Sequence, residues 1–434
     1  MKIGVLGSVV GAVMVCVALA MAGPAGAALT VSGTGDSGGC SLRATIEDVN
    51  NGTDGGCGSL EGNETTIDVP AGHYLLTSGQ LVVKAGSNVV LVGADSANPA
   101  ATVIDGHQTS RVLEVAIGAG ATLDGIEVTG GATLHGTDAT ASHGLGGPVE
   151  GGGGILNKGS VTLEHVLLTG NRTGRGGNGG DGALSNTSAR TGGGGSEGGN
   201  GGGIDNEAGA SLSIVASTIS DNLTGDGGAG GNGAHGQSEI PNIGIGGDGG
   251  IGGEAGNGGG IYNAGTLTIT TSTISGNATG RGGTGGAGGE GSDATSNTAA
   301  GLGGWGARGG NSGLQYPEGS DTPAYAEFGG GGGIDSVGTL TITDSTISGN
   351  HTGAGGLGGG AGIGGEKGGL NPGPETGGKA GAGGGAGLGG GVLINGTGLS
   401  SLTNVTVSGN FTGDGGNGGN GAQSNSRGGG NGGF

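Results

Sequence analysis

Large side chains are scarce in this chain. Eight of its 434 residues are aromatic (one Trp, four Tyr, three Phe), too few to anchor an ordinary globular core. Positive charge is scarce as well: 13 Lys and Arg stand against 34 Asp and Glu, a formal charge of −21. A surface of that sign does not hold phosphate, which excludes nucleic acid as a partner. Only nine prolines occur and no strict Gly-X-Y period runs, which excludes collagen. What the chain has in excess is glycine, 129 residues, several times the roughly 7% of an average protein. Acidic, glycine-rich composition by itself reads as disorder. The apolar residues, however, recur in short, regular runs.

Residues 1–27 read as a cleaved export signal. Lys2 precedes an apolar run from Ile3 to Met21, Pro24 ends it, and Ala25-Gly26-Ala27 is a small-x-small site cut after Ala27. The run is short for a membrane anchor, and no later run is long enough to span a bilayer. Val13-Met14-Val15 puts no small residue before Cys16, unlike a lipoprotein signal. The mature chain then keeps two cysteines, Cys40 and Cys57. An even pair in an exported chain predicts a disulfide, here closing a loop of about 17 residues. Two thiols with no accompanying His cluster do not make a zinc site.

Five segments share one pattern. They begin GGGI or GGGV, with the aliphatic at Ile155, Ile204, Ile261, Ile334 and Val392, and close on Asn171, Asn222, Asn277, Asn350 and Asn410. The third copy reads GGGIYNAGTLTITTSTISGNATG from Gly258. Within it Leu267 and Ile269 alternate as in a strand, and Ile274 follows three residues before the Asn. The second and fifth copies carry two extra residues, placed before the second strand where a turn absorbs them. Each copy thus predicts three short strands joined by tight turns, a unit of one parallel β-helix coil. A lone coil buries only Ile261, Leu267, Ile269 and Ile274 or their equivalents. That cannot offset the entropy of ordering it, so coils must stack. The closing residues all lie in Asn-x-Thr, the glycosylation sequon. Identical amides on successive coils more simply predict a hydrogen-bonded ladder.

Residues 65–150 hold earlier, less regular coils: Ile67/Val69, Leu81/Val83, Val90/Val92, Leu113/Val115 and Ile126/Val128 alternate between glycine-containing turns. Before them, within a cap spanning 28–64, CSLRATIEDVNN places Leu42, Ile46 and Val49 on one helical face. A short helix there would cover the first coil and block edge pairing. The five coils occupy 151–410, separated by glycine-rich inserts at about 172–200, 223–257, 278–330 and 351–388. With few aliphatics, the inserts read as long loops leaving one edge of the helix. Packed extended polyglycine strands are the other reading. A glycine-rich tail, 411–434, stops inside what the pattern makes another insert, as a chain cut short would.

CSLRATI at Cys40–Ile46, IDG at Ile104–Gly106, RVLEV at Arg111–Val115 and the GGGI…STISGN repeats resemble the secreted bacterial family with an N-terminal CSLREA motif. The repeats are also similar to the GGAI-type repeats of polymorphic outer membrane proteins. Ala44 and Thr45 stand where the family has Glu and Ala. The resemblance covers about residues 28–171 and each repeat, and leaves out the inserts. It implies a right-handed parallel β-helix on or outside the cell, usually without known catalysis. No C-terminal barrel or sorting signal follows in this sequence.

Chemistry is thinly represented. Parallel β-helices often cut polysaccharides, using grouped carboxylates with a basic partner. The best such group is Asp105, His107 and Arg111, with Asp68 and His73 one or two coils earlier. Each also has a bland role, Asp105-Gly106 as a turn and Arg111 on a strand. The position after GGGI reads Leu156, Asp205, Tyr262, Asp335 and Leu393, with no recurrent acid. Gly176–Asp181 resembles half of a calcium nonapeptide, but no second copy follows. No Gly-Lys-Ser/Thr exists, so phosphate-loop readings fail. Thr266/Thr268 and Thr339/Thr341 face outward, yet the row decays to Ser211/Ser213, too irregular for ice. No catalytic residue, metal or cofactor is therefore assigned. The expectation is a secreted or surface-displayed structural or adhesive all-β parallel β-helix, with a polysaccharide-degrading enzyme as the alternative. Its partners would be glycans or cell-surface components. Trp305, Tyr316, Tyr325 and Phe328 cluster in one insert as candidate contact residues or as packing against the helix flank.

Overall fold

The computed structural model describes residues 28–60, 64–184, 190–237, 245–293, 302, 304–307, 330–365 and 377–421. The export signal and Tyr316, Tyr325 and Phe328 lie outside the described residues.

The chain is an all-β parallel β-helix of three sheets with nine, seven and eight strands. In the third-repeat coil, Ile261–Asn263 enters sheet 2, Thr266–Thr270 enters sheet 1 and Thr273–Ser275 enters sheet 3. Each copy follows the same order. The register is in phase: Ile261 pairs with Ile204 and Ile334, Leu267 with Leu212 and Leu340, and Ile274 with Ile219 and Ile347. All nine of these residues are buried to within 1%. Alternation sends every second residue inward, so identical aliphatics stack directly over one another into a continuous core. One non-glycine residue per coil, at His165, Ala216, Thr271, Asp344 or Asn404, takes a left-handed φ of 47 to 54° to turn from sheet 1 into sheet 3. The two extra residues of the second copy fall in the 207–210 turn, where Gly209 has φ 85°.

The first coil is covered by helix α1 (Leu42–Asn51). Ser41 caps it by accepting the Ala44 amide at 3.2 Å, and Gly52 ends it at φ 66°. Leu42 and Ile46 bury against the first coil. Arg43 binds Asp36 at 2.9 Å and the carbonyl of Gln80 at 2.8 Å. Cys40 and Cys57 form a disulfide that ties the start of this cap to the segment after it.

Polar groups inside the solenoid are paired coil to coil. Asn171, Asn222, Asn277 and Asn350 each donate Nδ2–H to the Oδ1 of the next closing Asn at 2.9–3.0 Å. The same Oδ1 atoms accept the backbone amide of the preceding Asn at 2.9–3.1 Å. The sequon threonines form a second ladder: Thr173, Thr224, Thr279 and Thr352 accept amides of Gly225, Gly280, Gly353 and Gly413 at 2.9–3.1 Å. Asn-x-Thr is therefore spelled by two buried ladders, each satisfying groups that would be costly to leave unpaired. A third ladder, Asn157–Asn206–Asn263–Ser336, runs along sheet 2. Its sequence signal was the repeated Asn or Ser before a turn.

The described parts of the inserts are ordered, as in the second of the two readings, packed extended strands. Each insert runs outward from the helix and returns. Amides of Gly227, Gly230 and Gly233 donate at 2.8 Å to carbonyls of Arg281, Thr284 and Ala287 in the next insert. Gly228 and Gly231 donate at 2.8 Å to Ser196 and Gly193 of the preceding returning arm. Gly247, Gly250, Gly253 and Gly256 donate back to Ala234, Gly231, Gly228 and Gly225 at 2.7–3.0 Å. Partners recurring every three residues are the mark of polyproline-II winding, which has no internal hydrogen bonds. The arms therefore bond to one another, as a two-layered slab of outgoing and returning strands.

Glycine is needed there for space. A Cβ on Gly228 would stand 1.9 Å from the Gly177 carbonyl oxygen, and one on Gly286 1.9 Å from that of Gly231. Neither residue has a positive φ, so conformation is not the constraint. Only every third position faces outward, and polar side chains there brace the next arm. Ala229 and Asn232 donate their amides to Asn178 and Asp181 at 2.9 and 2.7 Å.

Candidate functional site

The group of titratable residues expected from the sequence is mostly dispersed. Asp68 lies exposed on sheet 1. His107 sits in the turn after Asp105 and donates its amide to Asp105 Oδ1 at 2.7 Å. Arg111 is buried and serves structure: its guanidinium reaches the carbonyls of Gly152 and Gly151 at 2.9 and 2.8 Å, Gln80 at 2.8 Å and Glu150 at 3.0 Å. Of the side chains in this group, His73 and Asp105 meet, with Nε2 2.8 Å from Oδ2 on the outer side of sheet 3. A residue the sequence reading passed over joins them. Glu127 lies on the adjoining strand, and partial burial pushes its carboxyl above the usual range. His73, Asp105 and Glu127 are thus an open acid/base group.

A second feature is the outer side of the slab's returning layer. A Cβ on Gly194 would stand 3.3 Å from Ile251 and 3.7 Å from Leu145, so these side chains adjoin across three arms. Trp305 lies on the next arm: its amide donates to Asp248 at 2.7 Å and its carbonyl accepts from Gly249 at 2.8 Å. Lys379 Nζ is 5.1 Å from the Trp305 ring centroid, a cation–π contact. Leu145, Ile245, Ile251, Leu302 and Trp305 are all exposed, Trp305 by 54%. The ring faces water on the slab and does not fold against the helix.

A third feature is a seam where sheet 2 meets the base of the returning arms. Leu156, Asp205, Tyr262, Asp335 and Leu393 stack in register there. Asp205 and Asp335 are buried, and desolvation pushes each carboxyl up to about 7. Glu207 pushes Asp205 further up, while Arg111 and Lys158 pull it down. Tyr262 between them is pushed up to about 12, by burial and then by the two carboxylates and Glu197. The sequence reading dismissed this row because the acids alternate with other residues.

The seam predicts a pH dependence. A carboxyl whose folded pKa is raised from about 3.9 to about 7 favours the protonated fold. Its stabilising effect is complete below about pH 4 and is lost as pH rises toward 7. In chelating buffer, the melting temperature should be several degrees higher at pH 5 than at pH 8. Asp335→Asn should raise the value at pH 8 and flatten the profile, as thermal scans across pH will show.

Among the described residues no group of three or more His, Cys, Asp and Glu is placed to hold a metal. No helix among them is long and apolar enough to cross a membrane. No family model matches the chain, and no curated protein does. Two solved structures are similar to it. Pectate lyase Pel9A is 17% identical over 86% of this chain and 72% of its own, with a TM-score of 0.31. The A-module of Azotobacter vinelandii mannuronan C-5 epimerase AlgE6 is 13% identical over 87% of this chain and 98% of its own, with a TM-score of 0.17. At these TM-scores the likeness carries neither architecture, activity nor site residue across to this chain.

Proposed function

We propose that the protein is an extracellular polysaccharide-binding β-helix whose contact surface is the outer side of the returning layer. The carrying observation is Trp305, half exposed between Asp248 and Lys379 on a backbone held by hydrogen bonds to the arms on both sides. A rigid aromatic platform meets the apolar faces of sugar rings with little loss of entropy. The disulfide and the CSLRATI motif support an extracellular setting. A charge of −21 disfavours polyuronates, so neutral polysaccharides are the expected ligands.

Affinity electrophoresis against a panel of neutral and acidic polysaccharides tests this. Trp305→Ala should weaken retention by roughly tenfold, as loss of a central aromatic anchor does, with an unchanged melting temperature. Unchanged retention, or none for the parent protein, would sink the proposal.

The second reading is polysaccharide cleavage, and one observation favours it. Glu127, raised by burial, sits beside the His73–Asp105 pair, as a general acid beside a base. Release of new chain ends by the parent protein, lost in Glu127→Gln, would establish that reading.

A further inference from the structure

We propose that the seam between sheet 2 and the slab holds a hard divalent cation of the calcium type, seated on Asp335 and Asn257. Asp335 is fully buried, and neither of its carboxylate oxygens has a hydrogen-bond partner among the described residues. The Gly331 amide favours its charged form without meeting hydrogen-bond geometry. Asn257 Oδ1 is likewise buried and unpartnered. These atoms converge: the point where a Cβ would stand on Gly330 is 2.3 Å from Asn257 Oδ1 and 2.5 Å from Asp335 Oδ2. A side chain at residue 330 would collide with both oxygens, so glycine there lets the two come together.

Buried lone pairs facing one another without a donor are costly. A cation satisfies them together, and calcium takes oxygen ligands at roughly 2.3–2.6 Å in flexible geometry. Among the described residues no basic side chain pairs with Asp335, and the titratable neighbour on its sheet, Tyr262, carries no positive charge. That excess of negative charge suits a divalent ion. At the equivalent Asp205 only Oδ1 is buried without a partner among the described residues, and Asn200 Oδ1 accepts the Asn257 amide at 2.8 Å while its carbonyl accepts the Gly152 amide at 2.9 Å. There Arg111 and Lys158 supply counter-charge, so Asp335 is the stronger seat. One carboxylate with neutral oxygens places the affinity in the weak extracellular class, about 10⁻⁴ to 10⁻³ M.

Terbium tests the site, with Tyr262 as the neighbouring antenna. The mature chain, stripped with chelator at pH 8, should show tyrosine-sensitised terbium emission that calcium displaces. Calcium should also raise its melting temperature by a few degrees. Asp335→Asn, nearly isosteric and expected to fold, should lose most of the emission and most of the calcium-dependent rise. Tyr262→Phe should lose the emission and keep the rise. Emission and melting temperature indifferent to Asp335→Asn would overturn the proposal. Stabilisation by lower pH with no response to calcium would also overturn it, leaving a proton as the occupant.

Discussion

Ile274→Asp should unfold the repeat array at room temperature or lower its melting temperature by more than any surface change. Ile274 is completely buried and stacks between Ile219 and Ile347 in adjacent coils. The substitution removes a large aliphatic and puts a carboxylate where the contacts are other aliphatics, with no cationic partner. Both the lost burial and the unpaired charge act in one direction, and such changes cost more than about 4 kcal/mol. Because each coil is the floor of the next, the damage spreads to neighbouring coils. Ile274→Val keeps the shape and should cost only about 1 kcal/mol. Thermal and denaturant unfolding of the two variants measure the contrast. A small effect of Ile274→Asp would contradict the stacked core.

Gly286→Ala should also destabilise, and here the sign discriminates. In a flexible loop with ordinary backbone angles, Gly→Ala stabilises by about 0.4–1 kcal/mol because it restricts the unfolded chain. Gly286 has no positive φ, so nothing in its conformation forbids alanine. What forbids it is the Gly231 carbonyl oxygen, 1.9 Å from the new Cβ, with the Gly250 amide nitrogen at 3.0 Å. Both obstacles are backbone atoms bonded into the slab and cannot turn aside. Adding Gly283→Ala and Gly289→Ala, whose Cβ atoms would stand 1.9 and 2.0 Å from carbonyl oxygens, should compound the loss. Thr284→Ala, on the exposed outward position of the same arm, should be near neutral. A stabilising or neutral triple variant would mean that the arms are loops after all.

Most of the solenoid was legible because side chains announce it. The Leu267-x-Ile269 alternation and the fixed distance to Asn277 specify faces and corners, and the register follows by stacking like on like. Leu42 and Ile46 likewise marked α1. The slab was not legible by the same route, since hydrophobic periodicity is silent where nothing apolar is buried. Its signal was steric: two glycines then an outward residue, as in Gly227-Gly228-Ala229-Gly230-Gly231-Asn232, a period of three. Composition suggested disorder because it counts apolar area, whereas these arms are held by backbone hydrogen bonds and close packing. The candidate sites were harder still. His73, read only as lying one or two coils before the Asp105, His107 and Arg111 group, meets Asp105, whereas Arg111 is drawn away by the carbonyls of Gly151 and Gly152, whose position depends on the insert. Asp205 and Asp335 share a seam only because the returning arms close over sheet 2.

Hydrogen–deuterium exchange of the mature chain, read on peptides covering 225–236, 246–256 and 280–292, tests the ordered slab most directly. The structure predicts slow exchange at Gly228, Gly231, Gly250 and Gly286, comparable to the core strands at Ile269 and Ile274, because each of these amides is donated to a neighbouring arm or coil. Exchange in those peptides at the rate of an unstructured chain, with the coils still protected, would contradict it.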